Sequence, residues 1–294
     1  MQANLNESWR IGPVEVPSRL VLAPMAGVSV QAFRRQGRRY GAGLVCSEMV
    51  SCAGLEHRNE RTLGYLRVAR DEHPLAIQIF GSEPRVMAEA ARMVVAAGAD
   101  IVDINFGCPV RKVTKTGAGA TLLDDADRAC AIVEAVAEAA GVPVSVKMRR
   151  GLDDGSRTCL SVGPRLVDAG AATLTLHPRS ARQMYTGEAD HSLTAALVDL
   201  VDVPVIASGD ITSRASSQPR PERLSSWSSS KRSCRIQPTR SCSTRCRSRS
   251  TEAARGCWCP GRCGRGSCRP CPSPVAYRWW SCRDWAGSTA TAAA

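Results

Sequence analysis

The sequence runs to 294 residues, 44% hydrophobic and 22% charged, which is enough for one large α/β domain or two smaller ones. The net charge of +12 suggests a polyanionic partner, but residues 1–213 carry 23 Lys/Arg against 24 Asp/Glu, while residues 214–294 carry 16 against 3. Cysteine divides the same way: five of fourteen (Cys46, Cys52, Cys108, Cys130, Cys159) fall in the first part, too scattered for a disulfide framework and suited to a reducing cytoplasm. The opening "MQANLNESWRIGPVEV" has no basic region followed by an apolar run, and no apolar run is long enough to span a bilayer. A soluble, cytoplasmic protein without a membrane partner is expected.

In chain order, seven apolar stretches predict strands: 18–25, 42–50, 74–81, 99–107, 142–149, 171–178 and 203–210. Their near-continuous Val, Ile and Leu suits parallel strands buried on both faces. Helical spacing of apolar residues predicts helices over 83–99, 124–142 and 163–171, the first with Pro84 in its opening turn, the second stopped by Gly141. This β/α alternation indicates a parallel sheet, either open or closed into a barrel. The barrel is favoured because candidate polar residues stand at the C-terminal ends of several strands: Met25, Gln78, Asn105 and Cys108, Lys147, His177 and Asp210. The one glycine-rich candidate for an open dinucleotide fold, "GAGATL" at 117–122, lacks a third glycine and does not directly follow a strand. The expected fold is a (β/α)8 TIM barrel that is incomplete, with seven strands recognisable and an irregular basic tail.

After Ile211 the periodicity stops and Arg, Ser, Pro, Cys, Gly and Trp dominate, with five of the six tryptophans in residues 214–294. Two readings stand side by side: out-of-frame translation of a GC-rich gene, or a genuine disordered basic tail. Cys257, Cys259, Cys263, Cys268 and Cys271 are spaced C-x-C-x3-C-x4-C-x2-C with no histidine in the tail, so no metal site is expected.

Seven motifs follow one another: "LAPMAGVSVQAFR" at 22–34, "SEMV" at 47–50, "QIFGSEP" at 78–84, "DINFGCPVRKVTKTGAGATLL" at 103–123, "VKMRRG" at 146–151, "LHPRSARQMYTGEAD" at 176–190 and "VIASGDI" at 205–211. In this order they resemble the tRNA-dihydrouridine synthases, most closely the bacterial B-type branch, over about residues 10–213. The resemblance implies an FMN-dependent (β/α)8 barrel with a small helical C-terminal domain. It also implies reduction of particular uridines of tRNA to dihydrouridine, with NADPH or NADH as reductant.

Saturating the uracil 5,6-double bond needs a hydride at C6, which reduced flavin would supply, and a proton at C5 from a positioned acid. By resemblance that acid is Cys108; the bland alternative is a buried thiol. For the cofactor, the resemblance points to the turn Pro24, Met25 and Ala26, to Gln78 with its paired donor and acceptor, to Lys147 beside the flavin ring, and to His177 near the phosphate or ribityl chain. Ser208, Gly209 and Asp210 form the first half of a phosphate site, with Ser where the family usually has Asn. The second half, a Gly-Arg pair after an eighth strand, is not recognisable in the tail.

For the substrate, Asn105 is expected to face the uracil or flavin, with a turn-capping Asn as the alternative. The basic loop with Arg111, Lys112 and Lys115 would close over the mouth, and Arg149 and Arg179 would hold RNA phosphate. Without an eighth strand the barrel has open edges, so weak FMN binding and a weakly active, truncated or frameshifted copy are expected. A free-pyrimidine reductase of the dihydroorotate dehydrogenase kind is the rival enzyme, opposed by the basic loop; a non-catalytic remnant with an RNA-binding tail is the other alternative.

Overall fold

Side chains along a strand point to opposite faces in turn, so one parallel strand serves two environments at once. The computed structural model describes residues 4–212 and the backbone of Val275–Tyr277. The chain divides into two units, Met1–Gln218 with Ser273–Ala294, and Pro219–Pro272, and every described residue belongs to the first. The boundary expected at 213, the nature of the tail and its cysteines lie outside the described residues.

An antiparallel pair, β1 (Trp9–Ile11) and β2 (Val14–Val16), comes first. The main sheet is parallel, with β3 (Val21–Leu22), β4 (Leu44–Cys46), β5 (Val50–Ser51), β6 (Leu75–Phe80), β7 (Ile101–Phe106), β8 (Val144–Arg149), β9 (Ala171–His177), β10 (Val205–Ala207) and β11 (Val275–Tyr277). Its order is β3-β4-β6-β7-β8-β9-β10-β11, with β5 also paired to β6, and it curls into a part-barrel. All seven predicted strands are present, the 42–50 stretch supplying both β4 and the start of β5. β11 is an addition: its three residues pair in register with Val205, Ile206 and Ala207. Three residues within a Pro-, Arg- and Trp-rich stretch are too short to show a period.

The connecting helices are α1 (Gln31–Arg39), α2 (Cys52–Glu56), α3 (Glu60–Gly64), α4 (Pro84–Ala96), α5 (Arg111–Thr114), α6 (Ala126–Ala140), α7 (Thr158–Asp168) and α8 (Ser192–Leu200). α4 and α6 lie where the periodicity predicts them. α6 starts on Asp125, whose carboxylate accepts from the Arg128 N–H, and ends at Gly141 in the left-handed conformation at φ +65°. α7 corrects the prediction for 163–171: it begins at Thr158 and carries Pro164 inside it. "GP" reads as a helix start, but Gly163 serves packing. A Cβ there would come within 2.6 Å of Leu197 Cδ1 on α8. The segment 111–120, read as a loop, contains α5, with Val113 buried and Arg111, Lys112 and Lys115 exposed.

Alternation sorts the strand residues. Ile77, Ile79, Val102, Ile104, Phe106, Val146, Met148, Leu174 and Leu176 belong to the core packed with the helices. The other face begins at its N-terminal end with Leu44, Cys46, Ala76, Ile101 and Ile206, capped by Ile11 and Val16 of the β1–β2 pair. Further along that face the character turns polar: Gln78, Asp103, Asn105, Ser145, Lys147, Thr175 and His177. Register aligns them across strands, Gln78 with Asp103, Asp103 with Ser145, Asn105 with Lys147, and Arg149 with His177.

One buried ion pair braces the start of the sheet. Arg34 on α1 (3% exposed) donates to Glu72 (fully buried) at 2.6 Å, and also to the carbonyls of Ser29 and Arg67, both at 2.9 Å. Glu72 accepts in turn from the Ala69 N–H at 2.8 Å. Removing one partner strands a charge. Arg34→Met is expected to lower the free energy of urea unfolding by about 3–5 kcal/mol, and adding Glu72→Leu should restore most of it. A loss under about 1 kcal/mol, the worth of an exposed pair, would contradict this.

Candidate active site

At the C-terminal end of the strands lies a cleft of about 270 Å³. Nine predicted residues line it: Pro24, Met25, Ala26, Gln78, Asn105, Cys108, Lys147, Arg149 and His177. They come from five different strand ends, which is why no single stretch of sequence contains the site.

The 24–26 turn is pinned from below. The Met25 N–H donates to Ser29 Oγ (2.7 Å), the Ser29 hydroxyl donates to the Ala23 carbonyl (2.9 Å), and the Gly27 N–H donates to Glu48. Across the cleft, Gln78 Nε2 donates to Asp103 Oδ2 (2.6 Å), and Asn105 Nδ2 donates to Gln78 Oε1 (2.8 Å). Asn105 Oδ1 accepts from the N–H groups of Gly107 (3.1 Å) and Cys108 (2.8 Å). The Ser145 hydroxyl donates to the other Asp103 oxygen. Cys108 is half-buried at the cleft wall, and its carbonyl accepts from the Ala120 N–H at 3.1 Å. Gly119 makes that closure possible: it sits at φ +68°, and a Cβ there would lie 2.6 Å from the Cys108 carbonyl.

The two arginines expected to hold RNA phosphate are placed otherwise. Arg149 is only 3% exposed and donates to the carbonyls of Gly107 (3.1 Å), Ser180 (2.7 Å) and Met184 (2.8 Å), with its guanidinium 5.5 Å from the Tyr185 ring centre. Arg179, 5% exposed, is absent from the cleft lining and pairs with Asp210 at 2.7 Å and with the carbonyls of Thr186 and Gly187. Both hold the 180–187 loop over the site. Ser208, Gly209 and Asp210 stand behind His177, not in the lining. A Cβ on Gly209, at φ +91°, would fall 2.6 Å from the His177 ring, and the Asp210 carboxylate accepts from Arg179 and the Ala189 N–H. Arg111, Lys112 and Lys115 are exposed beside the mouth, next to the lining residue Val110.

Burial and neighbouring charge set the protonation states. Burial pushes the Asp103 carboxyl up to about 6, against the pull of Ser145, Gln78 and Lys147. Burial, then the Arg149 charge, pushes the Lys147 ammonium down to about 8, with Asp103 opposing. Burial, then Lys147, Arg149 and Arg179, drives His177 down to about 2, so its imidazole is neutral at pH 7.

The sequence reading did not assign Asp103, Met49, Met184 or Tyr185. Asp103 was in view as the first residue of "DINFGC", two before Asn105 and therefore on the same face. Tyr185, 63% exposed and lining the cleft, lies within "LHPRSARQMYTGEAD", where nothing in its spacing sets it apart.

The family model Dihydrouridine synthase (Dus) matches residues 21–221. The chain is 44% identical over 205 residues to tRNA-dihydrouridine synthase B of Pseudomonas aeruginosa, covering 69% of this chain and 61% of that protein. It is 41% identical over 207 residues to a probable tRNA-dihydrouridine synthase of Rickettsia conorii, covering 70% and 62%. The chain thus spans about three fifths of the length of these curated relatives. Among solved structures it is similar in fold to morphinone reductase (TM-score 0.52, 15% identity, 76% of this chain and 84% of that one). It is also similar to an old yellow enzyme homologue from Zymomonas mobilis (TM-score 0.52, 13% identity, 76% and 86%). With the family model matched over most of its length, this chain belongs to the dihydrouridine synthase family, in its B-type branch.

Proposed function

We propose that the cleft binds FMN and that the protein reduces uridines of tRNA to 5,6-dihydrouridine, drawing on NADPH or NADH. The observation that carries this reading is the meeting of Gln78, Lys147 and Cys108, from three strands, around one cleft. These residues fit a flavin. The pinned turn Pro24–Ala26 offers a flat, largely apolar bed, and Gln78 offers an amide to a ring edge that carries both N–H and carbonyl groups. Lys147 brings a positive charge. Bound there in its reduced form, a flavin would supply the hydride for uracil C6.

The protein's own part is protonic and electrostatic. Cys108 gives its S–H proton to uracil C5: the S–H bond breaks, the C5–H bond forms, and a thiolate remains for solvent to reprotonate. Lys147 stands on β8 in register with Asn105, three residues before Cys108, so its cation lies on the same face as the proton donor. His177, neutral, can serve one hydrogen bond to the ribityl chain or phosphate, with the backbone of Ser208, Gly209 and Asp210 behind it. Asn105 faces the base, while Arg111, Lys112 and Lys115 meet tRNA phosphates at the rim. Arg149 and Arg179, which donate to carbonyls of the 180–187 loop, shape that loop above the base. No helix among the described residues is long and apolar enough to cross a membrane, and the reading places the protein with tRNA in the cytoplasm.

The purified chain, given FMN, NADPH and unmodified tRNA, should form dihydrouridine detectable by nucleoside mass spectrometry. Reduction of free uracil or orotate but not tRNA would overturn the reading. Cys108→Ala should lower the rate by about 10²–10⁴-fold while FMN affinity stays within about twofold. Retained turnover would remove Cys108 from its role. Because Lys147 loses its proton as pH rises through about 8, the rate should fall above that pH. Lys147→Met should be slow at every pH and lack that falling limb; a limb that survives the substitution would assign it to another group.

A further inference from the structure

Two side-chain amides lie in series between a buried carboxylate and the backbone that carries Cys108. Gln78 Nε2 donates to Asp103 at 2.6 Å, Asn105 Nδ2 donates to Gln78 at 2.8 Å, and Asn105 Oδ1 accepts from Gly107 and Cys108 at 3.1 and 2.8 Å. The polarity of this series is fixed at both ends. An ionised carboxylate can only accept and a backbone N–H can only donate, so neither amide can turn over without losing a bond. Ser145 completes Asp103 from the far side. Asn105 is thereby largely consumed: its oxygen serves two backbone donors, and its nitrogen serves Gln78 and faces Met49 Sδ at 3.7 Å.

We propose that Asp103 is a positioning residue: through Gln78 and Asn105 it holds the Gly107–Cys108 backbone and so sets how far the Cys108 thiol reaches into the cleft. Its catalytic meaning rests on the function proposed above; its geometry does not. Asp103 is 3% exposed and is not itself part of the cleft lining, so it acts through Gln78, which is.

The test uses the full chain without flavin or tRNA. Iodoacetamide labelling of Cys108 is followed by peptide mass spectrometry, with half-buried Cys130 in the same sample as the reference. Asp103→Asn still offers a carbonyl to Gln78 and an NH2 to the Ser145 oxygen, so the ratio of Cys108 to Cys130 labelling should stay within about twofold of the parent. Asp103→Leu can accept nothing and should raise that ratio by about fivefold or more as the turn is released. Gln78→Met breaks the series one step nearer Cys108 and should do the same; it decides the matter if Asp103→Leu unfolds and buried Cys159 becomes reactive. An unchanged ratio in the folded interrupting variants, or an equal rise in Asp103→Asn, overturns the proposal. Absence of dihydrouridine with the parent chain would instead overturn the proposed function and leave this result standing.

Discussion

A carboxylate removed from water must be met by donors or give up its charge. Asp103 sits at the point where the sheet's inner face changes from apolar to polar. Below it, Ala76, Ile101 and Ile206 pack with the β1–β2 pair; beside it, Ser145 and Gln78 donate to its two oxygens. Satisfying that one group orders Gln78, then Asn105, then the turn at Cys108. The site is thus built upward from a desolvated charge, on strands whose other face is held against the helices by Ile77, Val102, Ile104 and Val146.

The same low-dielectric setting explains the cations. Lys147 and Arg149 are two residues apart on β8 and share one face with His177, so each raises the cost of charging the next. Arg149 and Arg179 donate to carbonyls of the 180–187 loop and, for Arg179, to the Asp210 carboxylate. His177 accepts from Arg179 through Nε2 at 3.3 Å, is surrounded by these cations and stays neutral. Lys147 lies between, with its proton held by the nearby negative charge of Asp103 but lost at a pH only slightly above the physiological range.

Much of this was legible in the sequence. Parallel strands buried on both faces leave continuous apolar runs, so all seven strands could be placed, and α4 and α6 showed clear helical spacing. α1 was not assigned, because "QAFRRQGRR" carries few apolar residues and is anchored chiefly by the Arg34–Glu72 pair, whose partners lie 38 positions apart. The start of α7 was hidden by Pro164. Within the site, strand-end position singled out Gln78, Cys108, Lys147 and His177, which the structure gathers around one cleft. The burial of Arg149 could not be read, since it depends on carbonyls 31 and 35 positions away, nor that of Arg179, which depends on the following loop folding back and on Asp210, 31 positions on. Asp103 stood in view two residues before Asn105, but its part depends on Gln78 and Ser145, which neighbouring strands bring to it.

The central claim is that the polar upper part of the inner face forms a single flavin bed. Fluorescence titration of FMN with the full chain tests it directly. The account predicts saturable quenching at one FMN per chain, with the dissociation constant raised about tenfold or more by Gln78→Leu, the loss of roughly one good hydrogen bond. No saturable binding, or stoichiometric binding that Gln78→Leu leaves untouched, would contradict it.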